Sequence, residues 1–405
     1  MIKKKDIKGE IINLKEELIN LRRDFHKYPE LGFEEYRTSK IVADYLEECG
    51  LKVTRGIAKT GVMGLLEGKN PGPTLLLRAD MDALPIQEEN EVPYRSVNNG
   101  IMHACGHDAH TAILLITAKI LSSYREEIKG NIKFIFQPNE EIGGAKVMIE
   151  EGILENPHVD AAMALHVSSH LKSETIGLTA GAATSTMDVF KIIVEGKGGH
   201  TAYPQDAIDP IIASANIIQT IQAIQTREIS ALEPNIIMFG KINGGTKSNI
   251  IPDKVILEGT IRYFKRENEK KVKKVETLHE KFERIVEAIC KAHRANYTLD
   301  ICNEDQSIIN DDNMVSLVKL TAESVLGSKD KVILYKSTGS EDFSEFSARV
   351  PSVFYYLGTG SKNKDSNYPH HNPCFNIEED AMLLGVEMHV ISTLNYFNLV
   401  KTTKM

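Results

Sequence analysis

The residues best suited to chemistry lie between Ile101 and Glu141, a stretch that reads IMHACGHDAH, a long apolar run, IKFIF and then QPNEE. Cys105 and His107 are two residues apart, whereas neighbours on one face of an α-helix are three or four apart. The pair therefore fits a loop or extended segment that turns both side chains to one point. Glu140 and Glu141 follow directly on an apolar strand, and strands joined by a helix usually lie parallel in one sheet. A thiolate, an imidazole and a carboxylate together suit a first-row metal ion such as zinc, manganese or cobalt. The second carboxylate, beside the first, is a proton carrier for an attacking water. A cysteine nucleophile, Cys105 paired with His107, is the alternative use of these residues; the two-residue separation and the nearby glutamates favour ligation.

The elements around this stretch must bring its residues together. A PGP turn at Pro71–Pro73 feeds a buried strand, Thr74–Leu77, which delivers Asp80 and Asp82 at its carboxyl end. His166 follows the short apolar run AAMAL, and His371, in YPHHNPCF, follows SVFYYLGTG. Open α/β sheets bind ligands just beyond the carboxyl ends of their strands. Asp80, Glu140, Glu141, His166 and His371 all stand where such a sheet would gather them. Asp80 and Asp82 also suit loop capping, the simpler role for Asp82. His103, His110 and His370 flank these residues and read either as supports that orient them or as structural side chains, and Cys374 as a buried packing residue. Upstream, Ile11, Leu14, Leu18 and Leu21 recur at helical spacing. Pro29 and Gly32 close that helix, and a second is expected over Tyr36–Cys49.

From about Thr186 the rhythm changes to strand, helix, strand, strand, a charged helix over Glu267–His293, and the strand NYTLDIC. This β-α-β-β-α-β order is that of a ferredoxin-like domain. The chain is therefore expected to be α/β, with a catalytic metal-binding domain of mixed sheet in two parts, 1–183 and 304–405. Between them stands an inserted ferredoxin-like domain, 184–303, and a final helix is expected over Ile377–Phe397. The net charge of −8 is carried by mixed-sign segments, which points away from nucleic-acid binding. Five widely spaced cysteines argue for a reducing compartment. A charged N-terminus and the lack of a membrane-length apolar run point to a cytoplasmic protein with no membrane contact.

Eight motifs, RADMDALPIQEE, MHACGHDAHTA, FQPNEE, GGAKVMIEEG, GKGGHTAYPQDAIDP, SNIIPD, EGTIR and SEDFSEF, occur in order along the chain. Together they resemble the metallo-amidohydrolases of the aminoacylase and carboxypeptidase superfamily. The nearest branch is that of hippurate hydrolases, indole-acetyl-amino-acid hydrolases and N-acetyl-diaminopimelate deacetylases. The resemblance implies a zinc-peptidase-like fold and two divalent ions per subunit, manganese or zinc, with cobalt or nickel as substitutes. It assigns Cys105, His107, Glu141, His166 and His371 as metal ligands, one of them shared, and Glu140 as general base. Asp80 would orient a ligand histidine through its ring N–H; Arg78 stands where more distant relatives have a histidine. His200 would reach a partner subunit's site and polarise the scissile carbonyl, while Asn249 and Arg262 hold the substrate's carboxylate and backbone. A homodimer or tetramer formed through the inserted domain follows from the role given to His200. The wording departs from the family's at Asn139, where a small residue is usual, at His370, where an apolar one is, and in HVSSHLKSETIG, which lacks a proline-rich form. The implied activity is hydrolysis of N-acyl-L-amino acids. A carboxypeptidase or dipeptidase with the same site is the alternative, and a ligand-binding protein without catalysis is the third reading.

Overall fold

Runs dense in Leu, Ile, Val, Phe and Ala become strands buried on both faces when helices cover the sheet. Four such strands, Lys129–Gln137, Asn70–Asp80, Ala161–Lys172 and Ser352–Gly360, lie side by side and parallel in the computed structural model, which describes residues 7–264, 276–361 and 366–399. Antiparallel strands Gly61–Glu67 and Lys52–Ile57 extend one side of this sheet, and Ile176–Leu178 and Val332–Leu334 the other, making eight strands. Alternate residues serve opposite cores. Leu75, Leu77, Phe134 and Phe136 enter one cluster, while Leu76 and Ile135 enter the other, as the period-two geometry of a strand requires.

The helix His107–Ser122 is apolar on all sides and buried along nearly its whole length, the pattern of a helix enclosed by neighbours. It packs on the sheet and is covered by helices Lys15–Lys27 and Ala381–Leu399. The chain divides into two compact units. One comprises Met1–Ala183, Ile308–Lys336 and Glu341–Met405, and the other Thr184–Ser307 with Ser337–Ser340. In the second, strands Thr186–Glu195, Asn235–Gly244, Lys254–Tyr263 and Asn296–Asp305 form an antiparallel sheet. Numbered within the unit, their spatial order is 2-3-1-4. Helices Pro210–Ala223 and Leu278–Ala292 complete the ferredoxin-like arrangement and close its core around Phe190, Phe282 and Ile217.

Several elements differ from the sequence expectation. The PGP segment lies within the strand Asn70–Asp80 rather than in a turn ahead of it. The strand carrying His166 runs on to Lys172, because its polar end remains paired with Ser352–Gly360. Strand Asn296–Asp305 likewise outlasts NYTLDIC, carrying the second unit to Ser307. The last helix begins at Ala381, after a non-helical lead-in from Ile377. The charged helix is described from Leu278, where Thr277 and Glu280 form a capping box; the start expected at Glu267 falls outside the described residues. Among the described residues, no helix is long and apolar enough to cross a membrane.

Candidate metal centre

Parallel strands bring their carboxyl ends to one edge, and the candidate residues collect there. Asp80 ends its strand, and Glu140 and Glu141 follow Gln137 after a short turn. His166 sits within its strand, paired with Tyr356. Cys105 directly precedes Gly106, whose φ of +96° turns the chain into the helix that starts at His107; a left-handed turn of this kind favours glycine. His371 is tied to the same segment by its N–H, which donates to the Ala104 carbonyl at 2.8 Å.

Five donor triplets form among the described residues; Asp80, His107 and His110 make one and Glu140, Glu341 and Asp342 another, and the remaining three join the candidate ligands. Cys105, His107 and His166 make one, Cys105, Glu141 and His371 a second, and His107, Glu140 and Glu141 a third. Within each, the donor atoms lie within 4.8 Å of one another. Cys105 Sγ is 3.5 Å from His166 Nε2, and His371 Nε2 is 3.2 Å from Glu141 Oε1. His107 Nε2 is buried without a hydrogen-bond partner, a costly state for a polar atom unless a cation takes it up. The set of one sulfur, three imidazoles and a carboxylate is that of a first-row divalent metal site. The residues fit the ions.

A surrounding set of groups fixes how these donors point. Asp82 accepts at His107 Nδ1 through its backbone oxygen (2.9 Å) and Oδ1 (3.1 Å), leaving Nε2 for the centre. His166 Nδ1 is held by the Val167 carbonyl at 2.6 Å. Asp80 Oδ1 binds His110 Nδ1 at 2.6 Å, and His110 Nε2 accepts the Val167 N–H at 2.9 Å. Asp80 therefore steers the backbone beside His166, while Asp82, and not Asp80, orients His107. Asp108, next to His107, is gripped by Arg22 and His26, each at 2.8 Å. Arg78, fully buried, pairs with Asp80 (2.6 Å), Asp342 (2.9 Å) and Glu341 (3.0 Å).

Electrostatics follow from this packing. Burial, reinforced by Glu341 and Asp342, raises the Glu140 carboxyl well above the usual range, so it takes a proton more readily than an exposed glutamate. Glu140 Oε2 lies 3.8 Å from His107 Nε2. Burial, His110 and His370 hold His166 well below the ordinary histidine range, and hence neutral. Burial and Glu141 push the Cys105 thiol up; a thiol nucleophile needs the reverse. His371 is raised to about 10 by its hydrogen bonds to Cys105 and Glu141.

The other three candidates lie in the second unit. His200 and Asn249 border a cavity of about 750 Å³ floored by Gly198, Gly199 and Thr246. The Ala202 N–H donates to His200 Nδ1 at 3.0 Å, which leaves the proton of the neutral ring on Nε2. Arg262 donates to the Thr338 carbonyl at 3.1 Å.

Sequence reasoning gave no role to Glu341 and Asp342 of SEDF and took Asp82 for a loop cap; His110, expected either to support the ligands or to serve structure, holds Asp80 and the Val167 N–H. A spacing signal was available: His107 and His110 share one helical face, opposite two aspartates, one ending a strand and the other just beyond it. His103 is buried and His370 half-buried beside the site, held down to about 4 and about 3 by loss of solvent. Cys374, expected in the core, is only partly buried, near Glu89.

Comparison with known proteins places these features. A model of peptidase family M20/M25/M40 matches residues 76–392. Thermostable carboxypeptidase 1 of Saccharolobus solfataricus is 37% identical over 97% of this chain and 98% of its own. N-acetyl-L-cysteine deacetylase of Bacillus subtilis is 38% identical over 91% of this chain and 86% of its own. The crystal structure of the Bacillus subtilis YXEP protein, a dinuclear metal binding peptidase, matches with a TM-score of 0.82 at 32% identity, covering 95% of this chain and 99% of that one.

Proposed function

The chain belongs to peptidase family M20/M25/M40 and is a metallo-amidohydrolase, and we propose that it hydrolyses the amide bond of N-acyl-L-amino acids carrying an acetyl, benzoyl or similar acyl group. The observation that supports this most is the position of Cys105, whose sulfur belongs to two donor triplets while Glu140 stands beside them. In this reading Cys105, His107, Glu141, His166 and His371 hold two divalent ions, manganese or zinc, with cobalt or nickel as substitutes. Two such ions, when bound, lower the pKa of water and polarise a carbonyl.

The protein's own groups supply the rest. Glu140 takes the proton of the attacking water as the new C–O bond forms, then delivers it to nitrogen as the C–N bond breaks. The products are a carboxylate and a free amino acid. Asp80, through His110, keeps the backbone beside His166 in place. His200, with its proton on Nε2, is a donor suited to the scissile carbonyl of a substrate held in a partner subunit's site. Arg262 offers a planar fork to the substrate's carboxylate, and Asn249 holds its backbone. A homodimer through the second unit is supported by the strand Asn235–Gly244, which lies at the edge of its sheet with Met238 and Ile242 exposed, as are Ile211 and Ile212 on the helix Pro210–Ala223. Exposed apolar edges of this kind invite pairing.

The test is hydrolysis of N-acetyl amino acids, hippurate, N-acetyl-diaminopimelate and unblocked dipeptides by apo-enzyme reloaded with manganese, zinc or cobalt. Preference for acylated substrates supports the proposal. Preference for free dipeptides favours the second reading, a carboxypeptidase or dipeptidase, to which the likeness to a thermostable carboxypeptidase lends weight. Silence with every metal overturns both and leaves a binding protein. Glu140→Gln should keep its metal, measured by mass spectrometry, while hydrolysis falls by orders of magnitude.

A further inference from the structure

Two glutamates adjacent in sequence in the 138–143 loop both lie near His107 but differ in their other partners, Glu140 having Glu341 and Asp342, and Glu141 having Cys105 and His371. The loop manages this through Asn139, whose φ of +53° is left-handed and whose carbonyl accepts the N–H groups of Gly143 (3.0 Å) and Gly144 (2.8 Å). Asparagine visits this region more readily than most residues, but it is held there only if its surroundings insist. Three carboxylates from separate parts of the chain grip N–H groups of the loop and of the helix Gly144–Glu150 that follows it: Glu35 at Asn139 (2.9 Å), Asp82 at Glu141 (3.2 Å) and Asp342 at Ala145 (2.8 Å). Asp82 and Asp342 also hold His107, Gln137 and Arg78. Glu35 has no such second duty in the site.

Glu35 directly precedes the helix Tyr36–Glu48, yet it does not cap it. Glu30 does so instead, accepting from the N–H groups of Arg37 (2.9 Å) and Thr38 (2.8 Å). The fully buried Glu35 carboxylate is thereby free to turn inward, one oxygen to Asn139 and the other to the Thr60 hydroxyl. The neighbouring turn leaves room for the Asn139 side chain, because a Cβ on Gly32 would stand 1.9 Å from its Oδ1. We propose that Glu35 is a positioning residue: by holding Asn139 left-handed it sets the directions of Glu140 and Glu141. The inference rests on the roles given above to those two glutamates.

The test compares Glu35→Ala, Glu35→Gln and Thr60→Val in the full-length, metal-loaded protein. Kinetics on the preferred substrate are read beside metal stoichiometry and the absorption of the cobalt form. Glu35→Ala should lower kcat at least tenfold with KM within twofold, and weaken binding of one of the cobalt equivalents at least tenfold. Glu35→Gln should restore both, since its carbonyl can accept from Asn139 while its amide donates to Thr60. Thr60→Val removes the other hydrogen bond of Glu35 and should leave kcat and metal content unchanged. Wild-type kcat and metal binding in Glu35→Ala, equal losses in Thr60→Val, or a glutamine variant no better than alanine would overturn the proposal. Should Glu35→Ala not fold, Asn139→Ala keeps the N–H but disfavours positive φ, and wild-type behaviour there would be equally fatal. Glu140→Gln in the same series separates the two readings. Its retained activity would remove the assigned base, whereas its inactivity beside an unaffected Glu35→Ala sinks the Glu35 inference alone.

Discussion

Replacing Arg78 with methionine keeps most of the side chain's length and removes one fully buried positive charge. Asp80, Glu341 and Asp342 would then face one another without their shared cation. Each keeps some support: Asp80 its bond to His110, Glu341 the Phe343 N–H, and Asp342 Gln137 and the Ala145 N–H. Removing one partner of a buried ion pair costs about 3–5 kcal/mol, so a loss of that size is expected at pH 8. Protonation limits the cost. A carboxyl whose native pKa rises above its unfolded value stabilises the fold below the unfolded value, and that support fades as pH climbs through the native one. The gap between wild type and Arg78→Met should therefore narrow on acidification, by about 1.4 kcal/mol per pH unit for each proton taken up. Asp342 and Glu140, already raised well above the usual range by burial and by neighbouring carboxylates, are the groups placed to take it. Because the chain has no tryptophan, urea unfolding would be followed by circular dichroism and tyrosine fluorescence at pH 8 and 5.5. A loss below about 1 kcal/mol at pH 8, or a gap indifferent to pH, would refute the view that Arg78 neutralises this cluster.

Three further outcomes are expected. Asp82→Ala should weaken metal affinity about 10–100-fold in chelator competition, the usual effect of losing a group that orients a ligand histidine; affinity within twofold of wild type would return Asp82 to a loop cap. Lys133, buried with its ammonium on the Ile153 and Glu155 carbonyls, is held down to about 8 by burial. Between about pH 8 and its ordinary value of 10.5 the unfolded chain binds more protons, so wild-type stability should rise against Lys133→Met across that window, by about 3 kcal/mol; parallel urea midpoints from pH 7.5 to 10.5 would contradict this. Ile242→Asp on the outer strand of the second unit should yield monomers in sedimentation with far lower activity, and a fully active monomer would exclude a role for His200 in trans.

The family resemblance, the mixed-sheet α/β fold and its ferredoxin-like insertion were all legible, because each rests on local pattern: apolar runs of strand length, turn residues and motifs in order. That Asp80, Glu140 and Glu141 stand at or just after strand ends was legible for the same reason. Partners of the donors were not. Asp80 and Asp82 look alike in sequence, and which of them meets His107 is settled by the start of a helix more than twenty residues on. Glu35 and Asp342 act on backbone N–H groups of a distant loop, contacts that leave no mark in residue type. His166 lies within a strand rather than beyond one because pairing with Ser352–Gly360 carries its strand onward through SSHLK, a polar stretch that composition alone would leave as loop.

The strand Ser352–Gly360 lies between Ala161–Lys172 and Ile176–Leu178, so a late segment of the polypeptide fills a gap left between two early ones. On a ribosome adding about 5–20 residues per second, the roughly two hundred residues from His166 to His371 take about 10–40 s. Through that interval the strand Ala161–Lys172 has one long apolar edge without its neighbour, the kind of edge that recruits other chains. Cys105, His107 and His166 are already made, whereas the triplet that needs His371 cannot yet exist. The birth order of the strands thus fixes a sequence for assembly: two donor triplets are complete in the nascent chain well before the one that needs His371, and the sheet closes only shortly before that histidine arrives.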